Sequence, residues 1–177
     1  MSKLNISYNI IALVGMMGSG KSKCGNLLAK ILDYEFHDVD KIIEIKQNLK
    51  ISEIFNNFGE NYFREFEEKT IINMVREIVK NKKNAIISLG GGAFDSCITR
   101  KQLLDNAKVI WLDAPLNTLV RRIGNGENRP MLKNNIFENL KTLQIKRKVF
   151  YKKAHIKVFT HDKSLKEICD EVLQNIT

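Results

Sequence analysis

Three continuous apolar runs, NIIALV (9–14), NAIISL (84–89) and AKVIWL (107–112), stand out because their apolar residues do not alternate with polar ones. Strands covered on both faces of a parallel sheet have this pattern, whereas a half-exposed strand alternates. YEFHDV (34–39) and IKVF (156–159) are shorter strand candidates. Between the runs lie CGNLLAKIL, FREFEEKTIINMVREIV and LKEICDEVLQNI, whose apolar residues recur at the spacing of an amphipathic helix. Strand alternating with helix predicts an α/β layer fold around a parallel sheet. One segment breaks the rhythm: GNGENRPMLKNN (124–135) is polar, contains glycine and proline, and lies between two helical patterns. It predicts a long mobile loop.

The first apolar run leads into a glycine-rich turn. Gly15, four further residues, then Gly20, Lys21 and Ser22 fit the G-x-x-x-x-G-K-[ST] pattern, with a strand before it and a helix after it. Glycines allow successive backbone N–H groups to turn inward around a phosphate at the positive end of the following helix. Gly18, Ser19 and Gly20 are therefore candidate phosphate contacts. Lys21 is placed to reach the β- and γ-phosphates and the Ser22 hydroxyl to hold Mg²⁺. The loop alone does not separate a kinase from a GTPase or a motor ATPase.

Composition narrows the class. A chain of 177 residues, 44% hydrophobic and 28% charged, suits one globular domain with its own core. No run approaches the roughly 18 apolar residues of a membrane span, and MSKLNISYN at the start holds no apolar segment, so a cytoplasmic chain is expected. The net charge of +9 is spread over scattered lysines, with no aromatic-interleaved basic module. It fits an enzyme of anionic small molecules better than a nucleic-acid binder. Cys24, Cys97 and Cys169 form no metal-ligand spacing with His37, His155 and His161, so neither a zinc site nor a disulfide framework is expected.

Three places could hold a second substrate. HDVD puts Asp38 and Asp40 two residues apart at a strand end, where they would share a face. Either could hold magnesium or accept a bond from a hydroxyl, or the pair could cap a helix starting near Lys41. Arg64 lies close to the start of a long helix, where the dipole disfavours a cation unless it binds an anion or pairs with Glu67 or Glu68. Gly90, Gly91 and Gly92 follow the strand AIISL; three glycines suit a ligand lying against bare backbone, though a tight turn would use one or two. Arg147 precedes Tyr151 by four residues in KRKVFY.

Taken in order, the Lys-Ser phosphate loop, DVD, FGENYFREFEEK, SLGGGAF, ENRPML and KRKVFY resemble the shikimate kinase family along nearly the whole chain. The resemblance implies a three-layer P-loop kinase fold of the nucleoside-monophosphate-kinase type. Its central five-stranded parallel sheet would carry helices on both faces and a mobile lid at 124–135. It implies ATP as co-substrate with one Mg²⁺, and transfer of the γ-phosphoryl group to the 3-hydroxyl of shikimate. Asp40 would contact the shikimate hydroxyls and take the proton, and Asp38 would support Mg²⁺ through water. Arg64 and Arg147 would clamp the carboxylate beside Gly90, Gly91 and Gly92, with Gly91 offering an N–H. Arg129 would swing from the lid over the triphosphate, and Arg122 would pack on the adenine, unless it is an ordinary helix-terminal arginine beside Arg121. The shikimate-binding region would span about 38–66 of a single domain, and the family implies a monomer.

Two positions depart from the family pattern. Lys23 stands where threonine is usual, so its contact to the α-phosphate is open. Asp113, at the end of VIWLD, looks like a metal aspartate but follows the fourth strand, and is read as the cap of the APLNTLVRRI helix. A gluconate or nucleoside monophosphate kinase would share the loop and lid, but not FRE, GGG and the late arginine together. A GTPase would need an N/T-K-x-D-like stretch, which is missing.

Overall fold

A computed structural model describes residues 8–124 and 135–176. Among these, the strands β1 (Ile10–Val14), β2 (Glu35–Asp38), β3 (Ala85–Ser88), β4 (Lys108–Asp113) and β5 (Ile156–Phe159) form one parallel sheet in the order β2-β3-β1-β4-β5. Every apolar run lies in a strand. Helices α1 (Lys21–Leu32), α2 (Val39–Gln47), α3 (Ile51–Lys80), α4 (Cys97–Asn106), α5 (Leu116–Ile123), α6 (Ile136–Tyr151) and α7 (Leu165–Ile176) connect and cover them.

Side chains alternate across a strand, and this divides the core in two. Ile10, Ala12, Val14, Ile87, Val109 and Trp111 face the α2–α6 side, where they meet Phe63, Ile71, Val75, Leu140 and Tyr151. Ile11, Leu13, Ile86, Ile110, Leu112 and Val158 face α1 and α7, against Cys24, Leu28, Cys169 and Val172. The layers are thus helix, sheet, helix. Cys24 and Cys169, far apart in sequence, meet as free buried thiols with their sulfurs 3.5 Å apart.

Strand order decides where ligands can bind. After β1 the chain passes over β3 to make β2 at one edge, and after β3 it crosses β1 to build β4 and β5 on the other side. A crevice opens at the carboxyl ends of strands where the winding direction reverses. Here that puts the loop after β1 next to the loop after β3, with Leu13 paired to Ser88 and Leu89 N donating to Leu13 O at 3.1 Å.

Two local expectations change and a third holds. Asp38 and Asp40 do not share a strand face, because β2 ends at Asp38, whose side chain accepts from Lys41 N at 3.3 Å and caps α2. Asp40 lies in the first turn of α2, where the helix dipole favours an acid. Asp113 does not cap the helix that follows: Pro115 occupies that position, and Asp113 pairs with Lys157 Nζ at 2.9 Å. Lastly, α3 is two helices joined at Gly59, whose φ of 82° and ψ of 171° are not helical, so Arg64 falls near the start of the second.

The α1 face carries a direct test of this packing. Leu28 is fully buried against the sheet and α7, whereas Ile31 on the same helix is 45% exposed. Leu28→Ala is expected to lower unfolding free energy by about 2–5 kcal/mol. Ile31→Ala should stay within about 0.5 kcal/mol of wild type. Urea melts of the two variants check the contrast, and similar losses would contradict the assigned face.

Candidate active site

The phosphate loop closes the crevice on one side. Gly20 has φ 99°, a left-handed conformation that lets the chain turn directly into α1 without a capping side chain. The first turn of α1 also carries no acidic residue, so its N–H groups keep their positive potential for an anion. Lys21 is buried and bends back over its own loop, donating to Gly15 O at 2.9 Å and Met16 O at 3.0 Å. Gly18, Ser19, Gly20, Lys21, Ser22, Lys23 and Arg122 all line one cavity of about 380 Å³. The sequence-predicted nucleotide residues within the described chain therefore converge.

Arg122 is held from below. Its guanidinium donates to Thr160 O at 2.6 Å, Thr160 Oγ1 at 3.0 Å and Gly18 O at 3.4 Å, so it braces the phosphate loop against the end of β5. Arg129 and most of the expected lid lie outside the described residues.

A second cavity of about 420 Å³ lies beyond the loop and holds the predicted acceptor residues: Asp38, Asp40, Arg64, Gly90, Gly91, Gly92 and Arg147. Phe55 and Phe63, with ring centroids 4.7 Å apart, supply an apolar wall. The two cavities share Met17, Ser22, Asp40 and Gly91. Asp40 therefore stands at the junction, with phosphate-binding residues on one side and the arginines on the other.

Two glycines leave room for the protein's own charged groups. A Cβ on Gly90 would lie 2.4 Å from Glu67 Oε1 and 2.8 Å from Asp40 Oδ1. One on Gly92 would lie 2.6 Å from Arg64 Cζ and 2.7 Å from Arg147 Nη2. Both guanidinium groups thus converge on the bare backbone. Arg147 is buried, donates from Nε to Asp95 Oδ2 at 3.1 Å, and leaves Nη1 without a partner among the described residues. An unpaired buried donor is costly unless an anion meets it. Tyr151, one turn further along α6, donates to Gly91 O and fixes that loop.

Arg64 realises both alternatives left open by its position. It lines the cavity and also pairs with Glu67 at 2.6 Å and Glu60 at 3.2 Å. Burial disfavours its charge, but Glu67 and then Glu60 outweigh that and raise its pKa. Glu67 is 2% exposed, and its carboxyl is pushed up to about 7, chiefly by burial. Arg64 pulls it down and the Asp40 charge pushes it up again. Glu67, Asp95 and Ser88 are the residues that sequence reasoning did not place in the site. Spacing offered a signal only for Glu67, three residues after Arg64.

Oxygen donors gather near the junction. Ser22 Oγ is 3.4 Å from Ser88 Oγ, and the β2–β3 register sets Asp38 beside Ser88. Hydroxyl and carboxylate oxygens are hard ligands that suit Mg²⁺.

Known proteins resemble this chain closely. A family model described as shikimate kinase matches residues 17–177. A shikimate kinase of Sulfurihydrogenibium sp. (strain YO3AOP1) is 41% identical over 166 residues, 94% of this chain and 96% of that protein. One of Persephonella marina is 42% identical over 166 residues, 94% of this chain and 98% of its own length. The solved structure of shikimate kinase from Acinetobacter baumannii in complex with shikimate superimposes with TM-score 0.88 at 31% identity, covering 99% of this chain and 97% of that one.

Glu67 should leave a signature in stability. Its folded pKa of about 7 exceeds the ordinary 4.5, so the native state binds the extra proton between those values. The stabilising contribution is complete below about 4.5 and is lost as pH rises through 7. Relative to Glu67→Gln, wild type should lose about 3 kcal/mol over that window. Urea melts at several pH values measure the difference, and a flat difference would rule out a protonated Glu67.

Proposed function

The chain belongs to the shikimate kinase family, and from that premise we propose how its own residues carry out the reaction. The reaction transfers the γ-phosphoryl group of ATP to the 3-hydroxyl of shikimate, giving ADP and shikimate 3-phosphate on the route to chorismate and the aromatic amino acids. The observation that carries the residue assignment is the meeting of the two cavities at Ser22, Asp40 and Gly91.

The α1 N-terminus and Gly18–Lys23 bind the triphosphate, and Lys21 exchanges its carbonyl partners for the β- and γ-phosphates. Arg64 and Arg147 take the shikimate carboxylate with planar donor forks, and the Gly91 N–H adds a further contact, with Gly90 and Gly92 leaving room. Held by its carboxylate at the far end, the ring presents its hydroxyls to Asp40. Asp40 accepts the hydroxyl proton as the oxygen bonds to phosphorus and the bond to the ADP oxygen breaks. Burial raises the Glu67 carboxyl to about 7, so near neutral pH its negative charge beside Asp40 is reduced.

Mg²⁺ fits the oxygen set of Ser22 and, through water, Asp38; when bound it neutralises charge on the phosphates. Arg122 steadies the nucleotide side and Lys23 extends the cationic rim; by the family resemblance Arg129, outside the described residues, would act on the triphosphate. The same reading makes the chain a single, monomeric, cytoplasmic domain that acts on small molecules and binds neither nucleic acid nor membrane.

Three measurements test the assignment. Lys21→Ala is expected to lower kcat more than about tenfold, since a smaller loss, under ~1.4 kcal/mol, would not fit a cation that follows the γ-phosphate. Arg64→Ala should cut kcat/KM for shikimate by the equivalent of about 2–5 kcal/mol while ATP affinity barely changes. ADP release should favour shikimate over its methyl ester, gluconate, AMP and CMP. Equal use of shikimate and the uncharged ester would refute the arginine clamp, and a preference for gluconate or a nucleotide would refute the acceptor.

A further inference from the structure

One ion pair at the buried end of the cleft has no part in the reaction as described. Asp95 does not line the acceptor cavity, yet its Oδ2 accepts from Nε of Arg147, whose side chain is only 2% exposed. A guanidinium offers two usable edges. With Nε occupied, the Nη1–Nη2 end remains, and it lies against the glycine run: a Cβ on Gly91 would sit 3.4 Å from Nη1, and one on Gly92 2.7 Å from Nη2.

Asp95 is itself held on a rigid piece of backbone. It closes the 3-10 turn Ala93–Asp95, with its N–H bonded to Gly92 O at 3.0 Å. Arg100 Nη1 donates to the carbonyls of Phe94, Asp95 and Ser96 at 2.8, 3.1 and 3.3 Å, and Ser96 caps α4 by accepting from Thr99 N at 3.1 Å. A side chain anchored in this way transmits its position to whatever it holds.

We propose that Asp95 is a positioning residue for acceptor recognition, fixing the rotation of the Arg147 guanidinium so that its Nη1–Nη2 end meets the acceptor carboxylate. The inference rests on Arg147 receiving that carboxylate. Asp95 also keeps a buried guanidinium from being an unpaired charge. Once the acceptor arrives, two anions share one cation at different edges. Asp95 therefore helps binding through geometry and opposes it through like charge. Asparagine separates the two effects, because its amide oxygen can still accept the Nε–H but carries no charge.

The test is steady-state kinetics of the full chain, with shikimate and ATP varied in turn, for wild type, Asp95→Ala, Asp95→Asn and Arg147→Ala. The alanine variant is expected to raise the shikimate KM about tenfold, with a smaller change in kcat and an ATP KM within about twofold of wild type. The asparagine variant should have a shikimate KM below that of wild type. If Arg147→Ala raises the shikimate KM but Asp95→Ala leaves it within about twofold, or moves the ATP KM equally, Asp95 does not position the clamp. If Arg147→Ala leaves the shikimate KM unchanged, the clamp itself fails and the inference falls with it. Should the alanine variant not fold, asparagine decides alone: a lower shikimate KM supports the proposal, and an unchanged or higher one overturns it.

Discussion

Burying guanidinium groups beside carboxyls in one small cleft is the constraint on which the rest of the site depends. Removing such charges from water costs several kcal/mol each unless partners and hydrogen bonds compensate. Here Arg64 has Glu60 and Glu67, and Arg147 has Asp95. The loop after β3 leaves room for these groups, since a Cβ at Gly90 or Gly92 would displace the ends of Glu67, Asp40, Arg64 or Arg147.

That cluster is tied to the sheet at several points. Tyr151 links α6 to Gly91, Arg100 and Ser96 stiffen the turn that follows the glycines, and Ser88 brings the end of β3 next to Ser22 of the phosphate loop. The acceptor side and the nucleotide side are therefore two walls of one crevice. Phosphoryl transfer is catalysed chiefly by positioning and charge stabilisation, so a rigid junction is what the chemistry requires.

The cations of the cleft also have partners within the chain itself. Lys21 rests on two carbonyls of its own loop, and each arginine of the clamp rests on an acid. In the proposed reaction, substrates would exchange one set of partners for another. Glu67 takes part differently, since its burial favours the protonated form and reduces the negative charge near Asp40.

Local chemistry determined a good deal by itself. Continuous apolar runs marked β1, β3 and β4, because strands covered on both faces must be apolar throughout, whereas the edge strands β2 and β5 are partly exposed. The phosphate loop was legible because its function depends on backbone conformations and a helix start that only a short, contiguous pattern can provide. The ordered set of GGG, FRE and the late arginine gave the family, and all the acceptor residues named from it line one cavity. What the tertiary structure alone decided is pairing across long separations. The strand order puts the loops after β1 and β3 side by side, Asp95 reaches Arg147, Cys24 meets Cys169, and Lys157 draws Asp113 away from the helix it was expected to cap. Asp40 moved from strand to helix because Asp38 spends its side chain on the α2 cap. Such contacts depend on where two distant segments pack, and hydrophobic periodicity specifies which face of an element is buried without naming its neighbour.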